Sequence, residues 1–243
     1  MAKLEALNVS LKRDRFVLHI DKWTVEDKEK VAVLGENGSG KTTLLEVLSG
    51  NLKADKGCVL VDGKDIGRLN KKEKARIVSF LPQFSDVLFS QSVYDIVLLG
   101  RYPYSKGYFT DEDKTKTLEV LREFDLLDVK DVGYFELSGG QKRRVMIARS
   151  INQDTPINIF DEPFANLDIK HSLSILKKIR QTEKTIVASI HDVNLAIAFF
   201  DRVVILKSGR VVFDGKPNDL DTGVLHEAYG VDFRSCSGRF VFI

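Results

Sequence analysis

Nine residues, GENGSGKTT from Gly35 to Thr43, combine what a chain of phosphates needs from a protein. Gly35, Gly38 and Gly40 let backbone N–H groups converge without side-chain clash, with Glu36, Asn37 and Ser39 between them. Lys41 brings a cation to the outer phosphates, Thr42 offers a hydroxyl to a magnesium ion, and Thr43 leads into the next segment. The spacing fits the P-loop pattern G-x-x-x-x-G-K-[ST]. Much further along, Asp161 and Glu162 close the apolar run INIF. At the carboxyl edge of a parallel sheet such neighbours point opposite ways. Asp161 is therefore expected in a magnesium shell, and Glu162 at an attacking water that it orients or deprotonates. Between these two stretches, ELSGGQKRRV sets Ser138, Gly139 and Gly140 directly before a helical stripe of Val145, Ala148 and Ile151. That arrangement turns free N–H groups and the positive end of a helix dipole toward an anion. The chain thus carries two candidate phosphate-binding turns.

The elements that must hold these residues are legible in the patterning. KVAVLG is a short apolar run with no polar face. After the glycine loop, TTLLEVLSG places Leu44, Leu45 and Leu48 on one helical stripe that ends at Gly50. Strand, loop and helix are the context a P-loop requires. From INIFDE onward the alternation continues: a strand over 157–160, a helix with Ile169, Leu173 and Leu176 on one face, a strand at TIVASI, a helix at VNLAIAFF and a strand at RVVIL. This predicts an α/β fold with a mainly parallel sheet covered on both faces. Residues 1–30 alternate apolar and polar positions, as in RFVLHI with Phe16, Leu18 and Ile20 on one side, which predicts antiparallel strands. Between Gln83 and Arg149 the pattern becomes mostly helical. It holds SVYDIVLLG, the turn-rich RYPYSKGYFT, and a helix from Thr110 whose first turn is acidic through Asp111, Glu112 and Asp113. The tail reads as two hairpins, SGRVVFDGKP and RSCSGRFVFI. Asn158, an amide inside an apolar strand, requires a partner that the sequence does not name.

Composition narrows the function classes. A chain of 243 residues with 37 basic and 35 acidic side chains, formal charge +2, has no electrostatic footprint of a nucleic-acid binder, and none is expected as a partner. The basic runs KKEK and KRR read as solvated helix faces. Cys58 and Cys236 are far apart and lack metal-ligand spacing, so neither a disulfide framework nor a zinc site is expected, and packing in a reducing cytosol fits. No apolar run approaches the roughly 20 residues of a membrane span, and MAKLEALNVSL lacks the layout of a signal peptide. A soluble, internal chain is the expectation.

With these residues assembled, the sequence resembles an ATP-binding cassette (ABC) ATPase along nearly its whole length. The resemblance rests on the P-loop, Gln83 in LPQ, LSGGQ at Leu137, Ser138, Gly139, Gly140 and Gln141, FDE at Phe160–Glu162, ANLD ending at Asp168, and His191 in SIHD. It implies a single domain over 1–243. A P-loop NTPase core and an N-terminal antiparallel β subdomain would occupy about 1–85 and 150–243, and an inserted α-helical subdomain about 86–149. It implies ATP and Mg2+ as ligands, with Thr42, Asp161 and Gln83 around the metal. Lys41, Gln83, Glu162 and His191 would be the catalytic set, and Asp168 the D-loop acid. It also accounts for the second turn: two copies pair head to tail, and LSGGQ of one closes over the ATP held by the other, so that ATP acts as glue.

Two positions depart from the family pattern. Where an aromatic residue usually stacks on adenine the aligned position holds Lys12, and Phe16 is the nearest candidate, with core packing beside Leu18 and Ile20 as the competing reading. Where a glycine usually precedes the P-loop strand, EDKEK supplies Lys28, for which a turn of another type is expected.

The stretches VLLGRYPY, NLDIKH and HDVNLA resemble the ATPases of importers for iron–siderophore complexes, haem and cobalamin. This implies integral membrane permease subunits as partners, an extracytoplasmic solute-binding protein indirectly, and a place on the inner face of the cell membrane. Zinc and manganese importer ATPases share a similar V-x-x-G-R stretch, and a soluble, non-transport ABC ATPase is the alternative of another class. GRYPYSKGYF, rich in aromatic rings, reads as a surface for a partner.

Overall fold

Two ten-residue strands, β1 (Leu4–Arg13) and β2 (Phe16–Val25), pair antiparallel as the alternation predicts, burying Leu4, Ala6, Leu18, Ile20 and Trp23. The computed structural model describes residues 3–84, 90–236 and 238–242. The expected boundary between 85 and 86 lies outside the described residues. Next come β3 (Lys30–Leu34), α1 (Lys41–Leu48), β4 (Lys56–Val61), β5 (Lys64–Asp65), α2 (Lys71–Ala75) and β6 (Val78–Leu81). The helical stretch holds α3 (Val93–Leu98), α4 (Asp111–Glu123) and α5 (Gly139–Asn152). The remainder alternates: β7 (Ile157–Phe160), α6 (Ile169–Gln181), β8 (Thr185–Ser189), α7 (Val193–Phe199), β9 (Arg202–Lys207), β10 (Arg210–Gly215), α8 (Thr222–Tyr229), β11 (Phe233–Cys236) and β12 (Arg239–Phe242).

Among the described residues one sheet runs β10-β9-β3-β8-β7-β6, parallel except at its β9–β10 edge, and a second, antiparallel sheet runs β2-β1-β4-β5. Every residue of β3, β7 and β8 is buried, as befits strands covered on both faces. The period of two divides them between two cores. Val31, Val33, Ile157 and Ile159 join α1 and the antiparallel sheet, whereas Ala32, Leu34, Phe160 and Ala188 join α5 and α6. The P-loop helix and the helix after LSGGQ therefore lie on opposite sides of the parallel sheet.

Three sequence readings are corrected. On α6 the buried positions are Ser172, Ile175, Leu176 and Ile179, while Ile169 is 79% exposed, because it follows the cap residue Asp168 in a first turn that overhangs the core. Lys28 does not sit in a turn of another kind: it takes the left-handed conformation itself, at φ 64, the region a glycine would favour. The cost is offset by its N–H bond to Thr185 Oγ1 at 2.8 Å and its ion pair with Glu183. Cys236 is exposed rather than packed. Asn158 does find its partners: Ser79 Oγ donates to its Oδ1 at 2.7 Å, and its Nδ2 reaches the Thr155 carbonyl at 3.4 Å.

Candidate functional site

β3 ends into the glycine loop, which α1 follows directly, and the loop forms one wall of a cleft of about 520 Å³. Asn37, Gly38, Gly40, Lys41, Thr42 and Thr43 line it, with Arg13 and Phe16 on one side and Gln83 and Glu162 on the other. Gly40 has φ 106, and a Cβ there would come within 2.5 Å of the Phe16 ring, so glycine is what lets the aromatic close over the loop. Phe16 thus lines the cleft and at the same time packs against the core that holds Leu18 and Ile20. Lys12, by contrast, is exposed and donates its N–H to Asp55 at 2.8 Å.

The Lys41 ammonium is turned into its own loop, donating to the carbonyls of Gly35 at 2.7 Å and Glu36 at 3.0 Å. An ammonium has three donors, so one remains for a phosphate. Burial pulls this lysine below its ordinary range, and the carboxylates of Glu162 and Asp161 push back. Ser39 Oγ is buried with no hydrogen-bond partner among the described residues, in the loop where a phosphate oxygen would supply one.

Asp161 and Glu162 part as neighbouring residues at a strand end should. Asp161, fully buried, accepts from Thr42 Oγ1 at 2.6 Å and from Ser189 Oγ at 2.6 Å. Glu162, at the left-handed φ of 48, turns its carboxylate the other way. Its Oε2 accepts from Gln83 Nε2 at 2.7 Å and its Oε1 lies 2.7 Å from His191 Nε2. Against an ionised carboxylate, that ring nitrogen carries the hydrogen. β6, β7 and β8 all end here, so the parallel sheet delivers Gln83, Glu162 and His191 to one point.

LSGGQ stands apart from this cleft. Leu137 is buried in the core, while Ser138 and Gly139 are exposed. Ser138 caps α5 through a reciprocal box: Gln141 N–H reaches Ser138 Oγ at 3.3 Å, and Ser138 N–H reaches Gln141 Oε1 at 2.9 Å. A Cβ on Gly140 would sit 3.3 Å from the Asn166 carbonyl, which places this turn against the ANLD segment. Asp168 caps α6, and hydrogen bonds from the backbone and ring of His171 hold its carboxyl below the usual range. None of Leu137, Ser138, Gly139, Gly140, Gln141 or Asp168 lines the cleft with Lys41.

Comparison with known proteins decides the family. The ABC transporter family model matches residues 18–165. The chain belongs to the ABC transporter family. This cassette is 39% identical over 232 residues to the petrobactin import ATP-binding protein of Bacillus subtilis, covering 93% of this chain and 92% of that one. It is 35% identical over 206 residues to the hemin import ATP-binding protein of Rhodococcus jostii, covering 83% and 70%. Among solved structures, an ATP-binding cassette dimer in a post-hydrolysis state with ADP and Pi matches with a TM-score of 0.79 and 27% identity, over 88% of this chain and 98% of that one. The cassette is thus an ATP-binding ATPase with the ABC fold. Among the described residues no helix is long and apolar enough to cross a membrane.

Three residues of the cassette's site escaped sequence reasoning. Ser189 stands two positions before His191. Its hydroxyl donates to Asp161 while accepting the Glu162 N–H at 2.7 Å, tying the two acids together. Tyr229, at the end of α8, accepts the Gly35 N–H at 3.1 Å, and burial pushes its phenol up to about 12. The run KRR reads as a solvated face, yet Arg143 is 8% exposed and hydrogen-bonded to backbone carbonyls of two loops. Only the helix phase distinguishes it from Lys142 and Arg144, both of which are part-exposed.

Proposed function

We propose that this cassette is the ATP-hydrolysing subunit of an importer. In this reading two copies close head to tail on ATP and drive a separate membrane permease, and the solute is an iron–siderophore complex, haem or cobalamin. One observation carries the hydrolytic part: the Glu162 carboxylate, held between Gln83 and His191 at 2.7 Å each, opens onto the same cleft as the P-loop. Each carboxylate oxygen keeps a second lone pair for a water. Glu162 takes the water's proton as its oxygen attacks the terminal phosphorus, and the bond to the bridging oxygen breaks to leave ADP and phosphate. His191 steadies the carboxylate and Gln83 reports on it. Lys41 and the N–H groups of Gly38–Thr43 hold the phosphates, and Phe16 takes the base.

A magnesium ion suits the donors present. Thr42 and Asp161 already converge at 2.6 Å, with Gln83 on the same cleft wall, and among the described residues no group of three or more His, Cys, Asp or Glu forms an all-protein cage. When bound, the ion neutralises charge on the outer phosphates. The chain reads as one cassette, with the helices of about 86–149 as its partner-facing lobe. Tyr102 and Tyr108 expose 68% and 67% of their surfaces there, and Phe84, which directly follows Gln83 just before that lobe, exposes 81%. The relatives named for petrobactin and hemin import support the solute class.

The test is Glu162→Gln, which keeps shape and hydrogen bonding but removes the base. ATP affinity in a direct titration should stay within about threefold of wild type, while single-turnover hydrolysis falls by about 10² to 10⁴. Hydrolysis within threefold of wild type would end this assignment. The solute is read from the permease and solute-binding protein that copurify with the chain.

A further inference from the structure

We propose that Arg143 is a positioning residue for hydrolysis: its guanidinium holds the backbone on which Glu162 and Gln83 stand. The residue lies on α5, five positions after Ser138, and its five N–H donors meet five backbone carbonyls. Nε donates to Pro163 at 3.1 Å, Nη1 to Pro82 and Gln83 at 3.0 Å each, and Nη2 to Asp161 at 2.7 Å and Glu162 at 2.8 Å. A guanidinium has no further donors, so this one is saturated.

The need for such a clamp follows from the local backbone. The β6–β7 ladder ends with the Asp161 N–H bond to the Leu81 carbonyl at 2.8 Å, and Glu162 then turns into the left-handed region at φ 48, so the carbonyls of 161–163 leave the ladder. Beyond Leu81 the carbonyls of Pro82 and Gln83 do the same. The bonds to the Asp161 and Pro163 carbonyls are buried and those to Pro82, Gln83 and Glu162 part-buried, Glu162 O also accepting the Ala165 N–H at 3.2 Å, and a charged donor makes the stronger bonds. One rigid, planar cation answers both loops, which fixes the end of β6 relative to the end of β7 and therefore Gln83 relative to Glu162. The far end of α5 is pinned as well: Ser150 Oγ donates to Ser79 Oγ at 3.1 Å, and Asn152 Nδ2 to the Val97 carbonyl at 2.8 Å. Arg143 does not line the nucleotide cleft, so its influence on chemistry runs through the two loops.

The inference rests on the reading of Glu162 as the group that activates water. Its test compares Arg143→Lys, with three donors, and Arg143→Gln, with two, in the full chain, alone and combined with Glu162→Gln. ATP affinity should stay within about threefold in all of them, while single-turnover hydrolysis falls about tenfold for Arg143→Lys and about 10²-fold for Arg143→Gln, the cost of a small misplacement of reacting groups. Combined with Glu162→Gln, Arg143→Gln should lower the residual rate by less than about twofold, because groups that act as a unit are not additive. A slow Glu162→Gln beside a normal Arg143→Gln overturns the Arg143 assignment alone, as do losses that multiply in the double variant. A normal rate in Glu162→Gln overturns the reading of Glu162 and the positioning role with it. Should Arg143→Gln not fold, Arg143→Lys decides: a normal kcat there overturns the role, and a lowered kcat at unchanged KM supports it.

Discussion

Phe16 shows how much a single side chain can be asked to do. Its ring meets the core cluster behind the P-loop and also covers Gly40 at the cleft's edge. A purely structural residue and a base platform differ in what they change when removed. Stacking of a base on an aromatic ring is worth about 1–3 kcal/mol, so Phe16→Ala should weaken ATP about 5- to 150-fold in a direct titration. Inorganic triphosphate, which has no base, should bind this variant as it binds wild type. Equal losses for both ligands, or an ATP affinity within twofold, would leave Phe16 to the core alone.

At the scale of elements, α4 is fastened by a charge that its sequence suggested was merely a favourable end. Of the acids in its first turn, Asp113 is buried. It accepts from Arg101 Nε at 2.9 Å while closing a capping box with Thr110. Arg101 in turn reaches the Asn152 carbonyl at 3.1 Å and stacks 4.4 Å from the Tyr104 ring, joining α4 to α5. Burial works against the Asp113 charge, but Arg101 and Thr110 overcome it and hold the carboxyl below its usual range. Because the folded pKa is the lower one, the pair's stabilisation is complete above the unfolded value of about 4 and is lost as pH falls through the folded value. Asp113→Asn leaves the buried guanidinium with only the half-exposed Asp154 carboxylate, 3.9 Å away, and should cost up to about 3–5 kcal/mol at pH 7 by denaturant unfolding. The gap between variant and wild type should narrow below about pH 4; a gap that stays constant from pH 7 to pH 3 would contradict the ion-pair account.

At the scale of the molecule, no LSGGQ residue lines the P-loop cleft, and in the proposed reading a second copy supplies the nucleotide that this turn closes on. The cassette is expected to be monomeric without nucleotide and to dimerise with ATP when hydrolysis is blocked in the Glu162→Gln background, as read by light scattering. Ser138→Arg sets a bulky side chain at the exposed turn. It should abolish the dimer while leaving ATP affinity unchanged, since Ser138 does not line its own chain's cleft. The substitution also removes the cap of α5, worth about 1 kcal/mol, so the thermal midpoint is followed alongside. A dimer that forms equally well with Arg at this position, or loss of ATP binding by the monomer, would refute the clamp.

What the sequence determined by itself was local. The glycine loop between an apolar strand and a helix, the placement of Asp161 and Glu162 at a strand end, and the start of α5 directly after Ser138 follow from the backbone geometry of a few adjacent residues, and pattern alone specifies them. The tertiary structure decided what depends on register between distant elements. KRR reads as three equivalent cations until the phase of α5 against β6 and β7 buries the middle one among five carbonyls. Asn158 is an unexplained amide until β6 sets Ser79 beside it. Ser189 is one more strand residue until β8 aligns it with both acids. A buried polar group's partner is whichever group the packing brings within 3 Å, and no periodicity along the chain encodes that distance.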